Sequence, residues 1–497
     1  MKTTAGNVVA LLLGLALTTF GCDSDGTAGH DAAVDGGVDG SCDASPDAAD
    51  SEVIPDCPLE DLAHAPPAVV VGGLSAVPID IETIDATVTL DGYSQSADVV
   101  VAVGFRIGEQ GGMPIFDLRQ DIVTAELDGL SVAPAQLAHH DFGGGQDAEL
   151  RVLERELVPC STHTLTLGYN LHQPSTPESL PVDWDAGTAA VRWDFWFTDI
   201  YPGRYLEQWL PANLIFDRFT LSLELVLQSD SEHTLITNAE AFELAPRHWQ
   251  LEFPPSYTAL SPMLVLWPSA ELTSQTVTEQ LSNGQTIDIE LHRDNAVSDT
   301  MASLLARSAA ALEEFSASTG EYPHGDRLTV FVWDVADRAM EYDAGTTTRP
   351  ESLEHELFHL WYGRGVKPAL GRDGWLDEAW DVFNTREGEA FTVMELPDTA
   401  SPLLLSLASP WSRYTPGDSY SGGRLFFSHL AFLMGLDELR GAMADFFDQH
   451  VLDVVTTEEI ERHLYCPTED PEIAQAFYRW VYGNYGDITT AELPVCD

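Results

Sequence analysis

The sequence predicts an α+β fold in which an antiparallel β-domain precedes a mainly helical one. Between about residues 67 and 290, short runs of alternating or clustered β-branched and apolar residues recur between Gly, Pro, Asp and Ser. Beyond about 290 the apolar spacing changes to that of amphipathic helices. Charge adds a constraint on partners: 80 Asp and Glu against 23 Lys and Arg give a formal net charge of −57. A nucleic-acid backbone requires clustered cations, and none cluster here, so no nucleic-acid partner is expected. The balance suits a solvated, self-repelling, exported protein.

Met1-Lys2 and the apolar run from Val8 to Leu17 have the charge-then-apolar order of an export signal, shorter than the ~20 residues of a bilayer span. Residues 1–21 are therefore expected to lie outside the fold. The run ends in Thr19-Phe20-Gly21-Cys22, which resembles a bacterial lipoprotein box and implies lipidation of Cys22. Thr19 stands where that pattern prefers Leu, so cleavage and release is the alternative. No later apolar run is long enough to span a bilayer, so the lipid would be the sole membrane attachment, facing the periplasm or the outside. Residues 22–66 are rich in Asp, Gly and Ala and bury too little apolar surface to offset chain entropy, so they read as a disordered tether. Six cysteines fit an oxidising compartment. Cys466 with Cys496 and Cys57 with Cys160 are the expected pairs, with Cys42 left over.

The β-domain, assigned 67–290, rests on runs such as Ala86-Thr87-Val88-Thr89-Leu90, Val99-Val100-Val101 and Thr220-Leu221-Ser222-Leu223. Around 296–318, Val297, Met301, Leu304, Leu305, Leu312 and Phe315 mark a helix ending near Gly320, with Ser308 on the same face. A domain boundary is placed near 290, and 291–497 forms the second domain. Its first strand is Leu328–Trp333.

Pro350 begins a helix whose Leu353, Leu357 and Leu360 face inward. The same helix carries His355-Glu356-Leu357-Phe358-His359. Residues four apart share a helix face, so both imidazoles can grip one metal ion while Glu356 flanks it. Glu378 follows His359 by nineteen residues, in the apolar block Trp375–Phe383. Two His and one carboxylate leave a fourth tetrahedral position open, which is the ligand set of a catalytic zinc site rather than a structural one.

With that spacing, His-Glu-x-x-His and then Glu within Trp-Leu-x-Glu, the chain resembles the gluzincin peptidases and, among them, the aminopeptidase-N family. Trp361-Tyr362-Gly363-Arg364-Gly365-Val366-Lys367-Pro368 is similar to the related glycyl-aminopeptidase group. The resemblance implies a thermolysin-like zinc-peptidase domain behind a β-domain, with one Zn²⁺ per chain held by His355, His359 and Glu378. Arg338-Ala339-Met340-Glu341-Tyr342 resembles the exopeptidase motif whose edge strand lines the substrate, here with Met340, and whose Glu, here Glu341, binds the α-amino group. Arg338 and Tyr342 depart from that motif's Gly and Asn. Ser419-Tyr420-Ser421-Gly422-Gly423, before a helix at Leu425–Met434, resembles the segment whose tyrosine stabilises the oxyanion. Tyr420 is the candidate and Tyr414 its competitor. Gln208–Asp217 is loosely similar to a β-domain loop of many members.

These assignments imply hydrolysis of peptides, with Glu356 as general base. Asp381, one helical turn beyond Glu378, is a candidate acceptor for a ligand imidazole, with a solvated helix face as the alternative. The expectation is an exported, membrane-anchored aminopeptidase. Only 119 residues follow Glu378, too few for the large C-terminal helical domain of well-known members. The cleft is therefore expected to be open, and an endopeptidase is the enzymatic alternative. A non-catalytic surface lipoprotein is the alternative from another class.

Overall fold

A computed structural model describes residues 57, 59 and 62–496 apart from 146–148, 173–181, 186, 202–204, 336–337, 386–392 and 398. The expected export signal, Cys22 and most of the tether lie outside the described residues. Both expected disulfides are present, Cys57 with Cys160 and Cys466 with Cys496.

Among the described residues the N-terminal part is a twelve-stranded sheet with a four-stranded sheet against it. The long strand Leu74–Asp91 pairs antiparallel with Ser96–Ile107, where Val99, Val101, Val103 and Phe105 face the core. The same strand pairs in parallel with Thr220–Gln228, and its beginning with Met113–Phe116, so the large sheet is mixed rather than purely antiparallel. Alternation along a strand reports which side is buried and carries no strand direction, which is why the sequence could not show this. The Gln208–Asp217 segment is buried beside this sheet, with Asp217 accepting from the Ile81 amide at 2.9 Å and from Asn213 at 2.8 Å.

The boundary expected near 290 does not coincide with a change of sheet. Residue 290 falls inside the hairpin of Leu272–Gln280 and Thr286–Asp294, which belongs to a five-stranded sheet continuing through Arg327–Val332, Gly345–Thr348 and Met340–Tyr342. The change of sheet lies at the turn Ser269–Glu271. A period-two pattern identifies these strands without saying which sheet they join. Helix α1 (Met301–Ser318) is the crossover between parallel Thr286–Asp294 and Arg327–Val332. Thr300 caps it by accepting from the Ser303 amide, which sets the start at 301. Ser308 is fully buried on its inner face and returns its hydroxyl to Leu304 O at 3.0 Å.

Among the described residues six further helices follow: α2 (Leu353–Phe358), α3 (Trp375–Thr385), α4 (Asp418–Met434), α5 (Leu436–His450), α6 (Thr457–Tyr465) and α7 (Pro471–Trp480). The expected start at Pro350 is a 3₁₀ turn, Pro350–Ser352, leading into α2. Helix α4 begins seven residues before Leu425 and takes Gly422 and Gly423 into its interior. Gly423 is there because α3 lies close: a Cβ would meet that of Ala379 at 2.3 Å. Packing thus overrides the low helix propensity of the pair and carries Tyr420 onto the first turn of α4. Met340 and Tyr342 belong to the core cluster of the β-domain, together with Phe331 and Trp333, so the edge strand that faces the site is welded to the N-terminal half.

Candidate metal centre and substrate cleft

Helix α2 and its C-terminal cap present His355 and His359 one turn apart, and α3 brings Glu378 to them. The Nε2 atoms of the two histidines are 3.2 Å apart, and Glu378 Oε2 lies 3.5 and 3.7 Å from them. Ligands about 2.0–2.1 Å from a tetrahedral Zn²⁺ stand roughly 3.3–3.4 Å from one another, so this triangle has the size of one face of such a site. Each Nδ1 is turned away onto a carboxylate, that of His355 to Asp381 Oδ1 at 2.5 Å and that of His359 to Asp377 Oδ1. These bonds fix both rings with Nε2 pointing inward. Glu378 Oε2 and Asp381 Oδ2 are buried without a hydrogen-bond partner. Burial disfavours charge on both imidazoles, yet Asp381 beside His355, and Asp377 and Asp381 beside His359, raise both well above the ordinary histidine range. Two inward Nε2 atoms and an orphaned Glu378 oxygen converging on one point, with carboxylates behind the imidazoles that favour positive charge there, make a donor set that fits zinc.

The other expected residues converge on the same place. Glu356 is buried, and a carboxylate oxygen of it, one of Glu341 and a His359 nitrogen lie within 4.8 Å of one another. Burial, with Glu341 adding to it, raises the Glu356 carboxyl well above its usual range against the pull of the two histidines. Tyr420 donates to Glu378 Oε1 at 2.6 Å. Tyr414 instead packs against the β-domain loop at Gly145, where a Cβ would meet its ring at 2.8 Å, so of the two tyrosines only Tyr420 contacts the triad. Met340 departs from expectation: strand alternation points Glu341 at the site and turns the Met340 side chain into the core. Beside the triad a cleft of about 370 Å³ is lined by Glu351, Ser352, His355, Val382, Thr385 and Tyr420.

Three participants escaped the sequence reading. Asp377, next to Glu378, reaches back to His359, and its signal was only a second acid beside the ligand. Arg364 is fully buried and donates to Glu341 Oε1 at 2.6 Å. Asp199, from a β-domain loop with no periodicity to mark it, has a carboxylate oxygen within 4.8 Å of those of Glu341 and Asp377 and accepts from the Tyr205 hydroxyl.

No sequence-family model matches the chain, and no curated protein sequence does. Solved structures do match. An M1 zinc metallopeptidase mutant from Deinococcus radiodurans bound to a Tyr-Ser-Ala substrate is 19% identical with a TM-score of 0.58, covering 84% of this chain and 96% of that one. The M1 zinc metallopeptidase from that organism is 17% identical at 0.59, with the same coverage. Aminopeptidase A of Legionella pneumophila in complex with aspartic acid is 12% identical at 0.62, covering 82% of this chain and 50% of that longer one. At these identities the likeness is one of fold: the chain has the fold of M1 metallopeptidases.

Proposed function

We propose that this protein is a zinc-dependent aminopeptidase that releases N-terminal residues from peptides. The observation that carries the reading is the triangle of His355 Nε2, His359 Nε2 and Glu378 Oε2 with Glu356 beside it and Glu341 facing it from an edge strand. The shared fold with M1 zinc metallopeptidases, one of them bound to a tripeptide, supports it. The five-stranded sheet and the helices that follow are read as a thermolysin-like catalytic unit, with one zinc per chain.

His355, His359 and Glu378 would hold zinc, whose chemistry there would be polarisation of the scissile carbonyl and a lowered pKa of water. Glu356 accepts the proton of the attacking water and passes it to the leaving amine. Tyr420 turns its hydroxyl from Glu378 to the oxygen on which negative charge develops. Glu341 accepts hydrogen bonds from the substrate's α-ammonium, holding the scissile bond one residue from the chain end. Asp377 and Asp381 keep the imidazoles oriented throughout.

The test is a comparison of wild type with Glu356→Gln on a mixed peptide library, with zinc content measured in both. Stepwise loss of N-terminal residues in wild type alone is expected, together with hydrolysis of an aminoacyl reporter but not of its N-acetyl form. Equal rates on both reporters would replace the reading by an endopeptidase. Absence of zinc, or full activity of Glu356→Gln, would remove the enzyme.

Export, with lipidation of Cys22 as the membrane attachment, completes the proposal. It is supported by the charge-then-apolar N-terminus and by the two disulfides, which suit an oxidising compartment. Among the described residues no helix is long and apolar enough to cross a membrane. Loss of fatty-acid label in Cys22→Ser is the expected result.

A further inference from the structure

One buried guanidinium joins the metal site to the carboxylate that faces it. Arg364 lies in the turn after α2, where its amide donates to His359 O at 2.9 Å. Its side chain crosses to the edge strand and grips a single residue there at two points: Nε donates to the Glu341 carbonyl at 3.2 Å and Nη2 to Glu341 Oε1 at 2.6 Å. Its Nη1 faces Asp377 Oδ2 at 3.6 Å, on the carboxylate that holds His359. The side chains of Arg364 and Glu341 are 1% and 3% exposed, so solvent does not dilute the pair.

A fork-shaped donor with backbone and side-chain acceptors on one residue fixes that residue's position as well as its rotamer. Lysine, a point charge on a flexible stem, cannot reproduce the grip. The carboxylate keeps acceptor capacity, since two oxygens offer about four lone-pair sites and Arg364 uses one. A neighbouring pair serves as an internal comparison: Lys367 Nζ donates to Asp343 Oδ2 at 2.8 Å, equally buried, tying the same two segments together without touching Glu341.

We propose that Arg364 is a positioning residue that sets the reach between the metal site and Glu341, and so selects peptides with a free N-terminal ammonium at one residue's distance from the scissile bond. This rests on the aminopeptidase reading above. Arg364 itself is covered and meets no substrate; it acts through Glu341. Two opposite effects are open to it. If its positive charge mainly competed with the ammonium, removing it would tighten substrate binding. If it mainly positions Glu341, removing it weakens binding of free-amine substrates and leaves blocked ones alone.

The experiment is steady-state kinetics of zinc-loaded wild type, Arg364→Lys, Arg364→Met, Glu341→Gln, Arg364→Met with Glu341→Gln, and Lys367→Met on an aminoacyl reporter and its N-acetyl form. The free-amine KM is expected to rise about tenfold or more in Arg364→Met, to rise by a smaller factor in Arg364→Lys, and not to rise further when Arg364→Met is added to Glu341→Gln. Lys367→Met, if it lowers the melting temperature, should do so without that KM change. The proposal is overturned by an unchanged or lowered KM in Arg364→Met, by multiplicative effects in the double variant, or by an equal KM rise in Lys367→Met. If Arg364→Met does not fold, an unchanged KM in Arg364→Lys overturns it. Failure of wild type to distinguish the two reporters would instead strike the aminopeptidase reading.

Discussion

The hydroxyl of Tyr420 donates a 2.6 Å hydrogen bond to Oε1 of Glu378. A group assigned to an oxyanion is therefore parked on the carboxylate whose other oxygen faces the two histidines. Removing the hydroxyl should leave substrate binding intact and remove a donor made only in the transition state. Tyr420→Phe is expected to lower kcat about 10²–10³-fold with little change in KM and full zinc content, read by steady-state kinetics and metal analysis.

Asp381 Oδ1 sits between His355 Nδ1 at 2.5 Å and the Thr385 hydroxyl at 2.6 Å. Asp381→Asn keeps the shape and loses the charge that favours a metal-facing Nε2. Zinc affinity should fall about 10–100-fold in competition titration against a chelator. An unchanged affinity would return Asp381 to a packing role.

Gly363 has φ +116°, and a Cβ there would lie 2.2 Å from Asp377 Oδ1. The glycine is thus what lets Asp377 reach His359 past the turn. Gly363→Ala should displace that carboxylate, lowering both the melting temperature and the zinc content. A variant that binds zinc like wild type would show that the turn can relax.

Glu461 is buried on α6 and accepts from the Tyr482 hydroxyl at 2.7 Å. Burial pushes its carboxyl up to about 7 against the opposing Tyr482 hydrogen bond. Between the ordinary glutamate value and about 7 the folded chain holds a proton that the unfolded chain has released. Its stabilising contribution is therefore complete in acid and is lost as pH rises through about 7, up to roughly 3 kcal/mol in all. Glu461→Gln, neutral at every pH, should melt higher than wild type at pH 8 and converge with it toward pH 5. A difference that does not vary with pH would contradict this origin.

How far the site could be read in advance depended on whether its residues act locally. His355, Glu356 and His359 are fixed relative to one another by helix geometry, and Glu378 and Asp381 by a second helix, so spacing alone carried them. Glu341 was legible through its motif. Arg364 was quoted within a longer similarity and had no signal of its own, because its role depends on a strand 23 residues away. Asp199 comes from a loop of the β-domain. The exchange of Met340 for a core residue follows from strand parity, which needs one known inward residue before it can be assigned.

The alternation of 67–290, the helical period beyond it and the metal-ligating spacing are local properties of the chain, and they prescribed the α+β class and the triad. Strand direction, the sheet joined by residues 272–294, the absorption of Gly422 and Gly423 into α4, and the meeting of Arg364, Asp199 and Asp377 with Glu341 were decided only by tertiary packing. The reason is physical: a period records which side of an element is buried, whereas these features depend on what another element, far along the chain, places against it.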